Sequence, residues 1–143
     1  MELFDFIHNS HQHSMYVDHP DWNALYVRKT DLWFGGIHFS PTITLANIQA
    51  KHPGTKAFPR LIDEILSKFL CAIFVECVIS RRFQYILRKH GYFLKQTIPF
   101  SFLHPMSYRY AKIKHPEYIN PESPDYPVLV KLCTLIESYS QNP

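Results

Sequence analysis

The sequence predicts an α/β (α+β) fold, a mixed and mostly antiparallel central sheet flanked by helices, and three observations carry that prediction. Between residues 42 and 92 the apolar pattern alternates, then takes a helical period, then runs solid, then turns helical again, which spells a β-turn-α-β-α unit. Ahead of it, residues 24–29 and 31–39 read as two strands joined by a tight turn at residues 29–31. Behind it, past a proline-rich stretch, Val128, Leu129, Leu132, Leu135 and Ile136 make a helical stripe.

In chain order, residues 1–7 read as a short strand. His8, His11 and His13 follow, with His19 soon after; neutral imidazole is a common metal ligand, but no Asp-His-Cys set completes a closed site, so the segment reads as a polar surface loop. Asp18-His19-Pro20-Asp21 is turn chemistry. Gly35-Gly36 marks a bulge or a close backbone approach inside the strand over residues 31–39, and Ser40-Pro41 ends it. Residues 42–49 alternate, with Ile43, Leu45 and Ile48 facing inward. Lys51-His52-Pro53-Gly54-Thr55-Lys56 then turns the chain into a helix on which Phe58, Leu61, Ile62, Ile65, Leu66 and Phe69 share one face, with Asp63, Glu64 and Lys68 on the wet side. Pro59 is tolerated because a first-turn N–H has no intrahelical partner to lose.

Residues 71–78 are so apolar that they read as a central strand covered on both faces. Ser80 is placed as an N-cap, Phe83, Ile86, Leu87 and His90 lie on one face of a helix over residues 81–90, and Gly91 takes the left-handed position that ends it. Residues 92–98 and 108–114 read as two closing strands, the second an edge with Lys112 and Lys114 discouraging further pairing. The division expected is a domain over residues 1–115, a linker over residues 116–127 with prolines at 116, 121, 124 and 127, and a C-terminal helix and tail over residues 128–143. That helix either packs back on its own domain or docks a protein partner or second copy.

Apolar residues are 46% and charged residues 19% of the 143, which suits a globular chain, and 15% aromatic content means a core of large flat side chains. A net charge of +3 accommodates a small anionic cofactor and falls short of a nucleic-acid footprint, although Arg81, Arg82, Arg88 and Lys89 make one helix basic. Cys71, Cys77 and Cys133 show no metal or redox spacing and read as reduced thiols. The first residues carry Glu2 and Asp5 instead of a basic-then-apolar signal, and no apolar run reaches the roughly 18 residues of a membrane span. A soluble, cytoplasmic protein is the expectation.

Residues 75–92, from Val75-Glu76-Cys77-Val78 through Ser80-Arg81-Arg82 to the closing Gly91-Tyr92, resemble the strand, short loop and helix of the GCN5-related N-acetyltransferase (GNAT) superfamily. In that family the position of Ser80 is usually asparagine. The family's pyrophosphate loop reads Gln or Arg, two residues, Gly, one residue, Gly or Ala. Gln49-Ala50-Lys51-His52-Pro53-Gly54 matches it with His52 at the first glycine, and a register from Lys51 keeps Gly54 but puts Lys56 at the second. Such a turn has a physical logic: unpaired N–H groups and the positive end of a helix dipole attract phosphate, and lysines add charge. More weakly, the overall pattern is similar to short acetyltransferase-like proteins of tailed phages, which implies a host cytoplasm or a virion.

The resemblance implies a GNAT-like fold with a shortened N-terminal helical region, an extra C-terminal helix and an acceptor side that is open or completed by a partner. It implies transfer of an acetyl group from acetyl-CoA to a primary amine, with Ile48, Gln49, Lys51, His52, Gly54, Thr55, Lys56, Ser80 and Arg82 binding coenzyme A. A strand N–H near Asn47 and Ile48 would serve the carbonyl oxygen. Glu76, His38 and Tyr92 are the candidates for proton transfer, with Arg81 or Arg82 as the competing ion partner of Glu76. Leu87 stands where family members commonly carry a tyrosine, so the motif set is degenerate. The alternative is a catalytically silent GNAT-like domain serving assembly or binding.

Overall fold

The computed structural model describes residues 1–113 and 120–141; residues 114–119 and 142–143, which include Lys114 of the expected edge strand and the start of the expected linker, lie outside the described residues. In chain order the elements are α1 (Leu3–Asn9), β1 (Ser14–Tyr16), β2 (Trp22–Lys29), β3 (Leu32–Phe34), β4 (Ile37–Phe39), β5 (Thr42–Ala50) and α2 (Ala57–Lys68). Then come β6 (Ala72–Val75), α3 (Arg81–Lys89), β7 (Phe93–Lys95), β8 (Ser101–Leu103), a 3-10 helix at Pro105–Tyr110, β9 (Ala111–Ile113) and α4 (Tyr126–Gln141).

Six strands form one sheet in the order β1-β2-β5-β6-β8-β7. β5 and β6 are parallel neighbours, whereas β8 is antiparallel to both β6 and β7. The chain therefore crosses from β5 to β6 through α2 and from β6 to β7 through α3, moving the same way across the sheet each time. Two crossovers of one hand and one direction put both helices on one face. There Leu61, Ile62 and Ile65 of α2 and Leu87 of α3 bury against Leu25, Val27, Ile43, Leu45, Ile73, Val75 and Phe102, with Leu3 and Phe6 of α1 beside them. Each such side chain contributes about 1.5–3 kcal/mol by leaving water.

The alternate residues Ala72, Phe74, Phe93 and Leu103 point to the opposite face. They meet Phe34, Ile37 and Phe39 from a second, three-stranded sheet, β3-β4-β9, together with Leu129, Leu132 and Ile136 of α4. Every residue of β6 is buried, as its solid apolar run predicts. The mixed, mostly antiparallel sheet, its flanking helices, the short N-terminal helix and the C-terminal helix are all present.

Three local expectations are corrected. Residues 1–7 are not a strand: Leu3 and Phe6, three apart, both face the core, and Phe6 N–H donates to the Glu2 carbonyl (3.0 Å), which is helical spacing. Residues 24–29 and 31–39 do not pair; β2 lies between β1 and β5, and the second segment folds on itself at Gly35-Gly36. Those glycines have φ of 55° and 88°, the positive values that a two-residue hairpin turn needs. Finally, Tyr108 and Tyr110 belong to the 3-10 helix, which the His104 side chain caps by accepting from Met106 N–H (3.2 Å), while β8 takes the place beside β6.

Candidate functional site

β5 and β6 run side by side only as far as Leu45 and Val75. Their last link is Glu76 N–H donating to the Leu45 carbonyl (2.9 Å). Beyond it β5 stays with β2, while the chain after β6 bends the other way. Cys77 N–H donates to Ser101 Oγ (3.3 Å) and Val78 N–H to the Phe100 carbonyl (2.8 Å). A fork opens between them. Each arm turns on a non-glycine residue with left-handed backbone, Asn47 (φ 46°) and Cys77 (φ 55°). With a Cβ that conformation costs about 1–2 kcal/mol, so both kinks are imposed by their surroundings. The Asn47 kink is a bulge: Ala46 pairs with Tyr26 and Gln49 with Ala24, so β5 spends one residue more than β2. Its side chain is anchored as well, Nδ2 donating to the Tyr16 hydroxyl (3.1 Å).

The expected coenzyme-binding residues lie along the end of β5 and the turn after it, Ile48 through Lys56, and at the start of α3, Ser80 and Arg82. The Phe58 and Phe83 rings, edge to face at 4.8 Å, tie the two helix starts together. α2 begins without a side-chain cap, Lys56 holding the N-cap position in left-handed conformation (φ 61°). Ala57 and Phe58 therefore have first-turn N–H groups with no intrahelical acceptor. Gly54 (φ 84°) has open space where a Cβ would stand. Lys51, His52, Gly54, Thr55 and Lys56 are all exposed.

Some of these groups are already engaged. Lys51 N–H donates to the Asp21 carbonyl (3.0 Å), and the Lys51 side chain lines a separate cleft with Asp18, His19 and Trp22. The Thr55 hydroxyl donates to the His52 carbonyl (2.6 Å). Ser80 is the N-cap of α3, as expected, its Oγ accepting from Phe83 N–H (3.2 Å). Arg60, which pattern reading does not single out, folds its guanidinium back onto the Thr55 carbonyl, with Nη2 3.5 Å from the Asp21 carboxylate.

The three expected catalytic residues sit in three places. Glu76 is at the fork, yet its carboxylate is ion-paired with Arg28 of β2 and not with Arg81 or Arg82. His38 is on β4 in the other sheet, stacked on Trp33 (4.4 Å) with Nε2 3.1 Å from the Asp31 carboxylate. Tyr92 lies beneath α2 and α3, its ring 5.1 Å from that of His104 and 6.2 Å from that of Phe58. Burial, helped by the Asp63 charge, raises the Tyr92 phenol well above the usual tyrosine range. Leu87, at the family's tyrosine position, is buried in the first core.

Residues missed by pattern reading gather on the open side of the fork. Tyr16 and Tyr26 contact ring to ring (4.9 Å), and the Tyr26 hydroxyl donates to Ser14 Oγ (2.9 Å). With Asn47 and the Arg28–Glu76 pair they make a continuous polar strip across β1, β2, β5 and β6. The signal was there, since Tyr26 and Arg28 alternate with the buried Leu25 and Val27.

A second concavity, about 270 Å³, lies between α2 and α3, with Asp63, Tyr92 and His104 among its lining. Burial pushes the His104 imidazole down to about 4, against the opposing pull of Asp63. The N-terminal histidines do not converge: the His8 ring lies tilted against Phe69 (4.4 Å) and His19 Nε2 is 2.8 Å from the Glu64 carboxylate. Among the described residues no three His, Cys, Asp or Glu side chains gather as a metal site would, and no helix is long and apolar enough to cross a membrane. Compared with known proteins, the chain matches no family model, no curated protein and no solved structure.

Proposed function

We propose that the chain binds acetyl-CoA at the fork between β5 and β6 and acts as an N-acyltransferase toward a primary amine. The observation that carries this reading is the fork itself, two adjacent parallel strands forced apart by left-handed Asn47 and Cys77 at the end where α2 begins uncapped. Ligands of open sheets bind where neighbouring strands part at their carboxyl ends. The amide-bearing arm of coenzyme A suits the β6-facing edge of β5 past Leu45, along which no strand pairs among the described residues. Its pyrophosphate suits the first-turn N–H groups of α2 with Lys56 and Arg60 beside them. Glu76, ion-paired with Arg28, is the carboxylate at the fork and the candidate to take a proton from an incoming ammonium. Tyr16, held by Asn47, is a phenol on the fork's open side. Acetyl-CoA as donor goes with a cytoplasmic setting.

One observation favours a second reading. His38 and Tyr92 are remote from Glu76, so a silent GNAT-like domain that binds or assembles without turnover fits the scattered set equally. Isothermal titration of acetyl-CoA and of free coenzyme A into the reduced protein tests the cofactor site. We expect saturable binding near micromolar, about −8 kcal/mol, lost in Gly54→Trp and kept in Lys68→Ala. Absence of both heat and thermal stabilisation at millimolar ligand, or equal binding by the two variants, removes the reading. Binding without transfer to any amine would favour the silent domain.

A further inference from the structure

We propose that the cavity between α2 and α3 is a second binding site, distinct from the fork, for a small organic ammonium with a flat apolar body and a hydroxyl or carbonyl at its other end. At about 270 Å³ it sits just below the roughly 300 Å³ at which pockets for drug-sized molecules begin, so it takes a fragment-sized ligand. Its walls are Phe58 and Ile62 from α2 and Ile86 from α3, enough apolar surface to cover a ring. Four polar side chains line it, Asp63 from α2, His90 and Tyr92 just after α3, and His104 just after β8, and the ligand uses Asp63, Tyr92 and His104.

What distinguishes these three groups is that their bonding capacity is unspent. Among the described residues none forms a hydrogen bond or ion pair with the Tyr92 hydroxyl or with the Asp63 carboxylate, which is exposed and open to an incoming cation. His104 uses only Nδ1, which accepts from Met106 N–H (3.2 Å). An imidazole whose Nδ1 accepts must, when neutral, carry its proton on Nε2, and that nitrogen is then a donor. Burial keeps the ring neutral at ordinary pH.

The ligand chemistry follows from this inventory. A carboxylate wants a cation, and the Phe58 and Tyr92 rings beside it add cation–π attraction for an ammonium. The Nε2–H donor wants a neutral oxygen, since a second cation would meet nothing acidic near His104 except Asp63. The Tyr92 hydroxyl, able to donate and accept, serves either end.

Tyramine is the probe, with 4-ethylphenol as the analogue lacking the ammonium and phenethylamine as the one lacking the hydroxyl. All are titrated by NMR without coenzyme A, so that failure here and failure at the fork are told apart. Tyramine should saturate at submillimolar concentration and shift the Tyr92 and His104 ring signals, and each analogue should bind more weakly. Asp63→Asn should weaken tyramine about tenfold and leave 4-ethylphenol unchanged. Ile86→Trp, which fills the space, should abolish all three. No saturable shift of the Tyr92 and His104 rings in the wild type, or an Asp63→Asn change equal for tyramine and 4-ethylphenol, overturns the proposal.

Discussion

The two faces of the six-stranded sheet are covered by different means. On one, α2 and α3 are the connections that the strand order itself demands, and α1, just ahead of β1, packs beside them. On the other, the cover is gathered from β3 and β4, the 3-10 helix with β9, and α4, segments spread from residue 32 to residue 141. The first cover is dictated by topology. The second depends on excursions returning to the same place, and its joints are where single changes tell the two faces apart.

The largest expected effects test whether both faces are true core. Ile65→Ala on the first and Leu132→Ala on the second, both fully buried, should each cost about 2–5 kcal/mol in denaturant unfolding. A cost below about 1 kcal/mol for Leu132→Ala would make α4 a detachable lid and break the symmetry in burial. Gly35→Ala is next, at about 1–3 kcal/mol, because its φ of 55° disfavours a side chain and its new Cβ runs into Leu129 of α4. If Gly35→Ala is harmless, α4 does not press on the β3–β4 turn as described.

A pH-dependent effect belongs to the first face. His104 has a folded pKa near 4 against an unfolded 6.5, so protons prefer the unfolded chain between those values. Stability is then full above pH 6.5 and falls as pH drops from 6.5 towards 4, by at most about 2 kcal/mol once partial solvent screening is allowed. His104→Asn should flatten that part of the profile between pH 7 and 4.5; an unchanged slope assigns it to other groups. The smallest effect is at Gly54, where φ is 84° but no atom lies within 4 Å of a Cβ. Gly54→Ala should cost about 1 kcal/mol or less of stability, strain alone with no clash. A loss as large as that at Gly35 would mean the loop is packed.

The same division explains what was legible. α2, β6 and α3 follow from local periodicity and solid apolar runs, and their order forces the two helices to one face, so the Gly54 turn and the Ser80 cap are legible in the residues themselves. The second face was not legible because its partners are set by long-range pairing. Nothing local to Leu32, Trp33 and Phe34 says that they leave the main sheet, and three residues at Ser101–Leu103 are too few to show alternation. The candidate site divides likewise. Its loop was readable, whereas the fork depends on Asn47 and Cys77 adopting a conformation that residue type does not announce. The Arg28–Glu76 pair also exists only through the register of β2, β5 and β6.

β8 lies between β6 and β7 in the sheet but follows both in the chain. On a ribosome, β6 emerges with β5 ready on one side and nothing on the other until about 25 residues later. At roughly 5–20 residues per second that is an interval of about one to five seconds in which an apolar strand edge stands open. Meanwhile β7 has no strand of its own to join. Nascent chains caught in that interval are the ones most prone to pair with each other, so release short of Leu103 should give aggregates even though the first-face helices are already complete. Soluble yield then depends on how fast three residues, Ser101–Leu103, slot between two strands made before them.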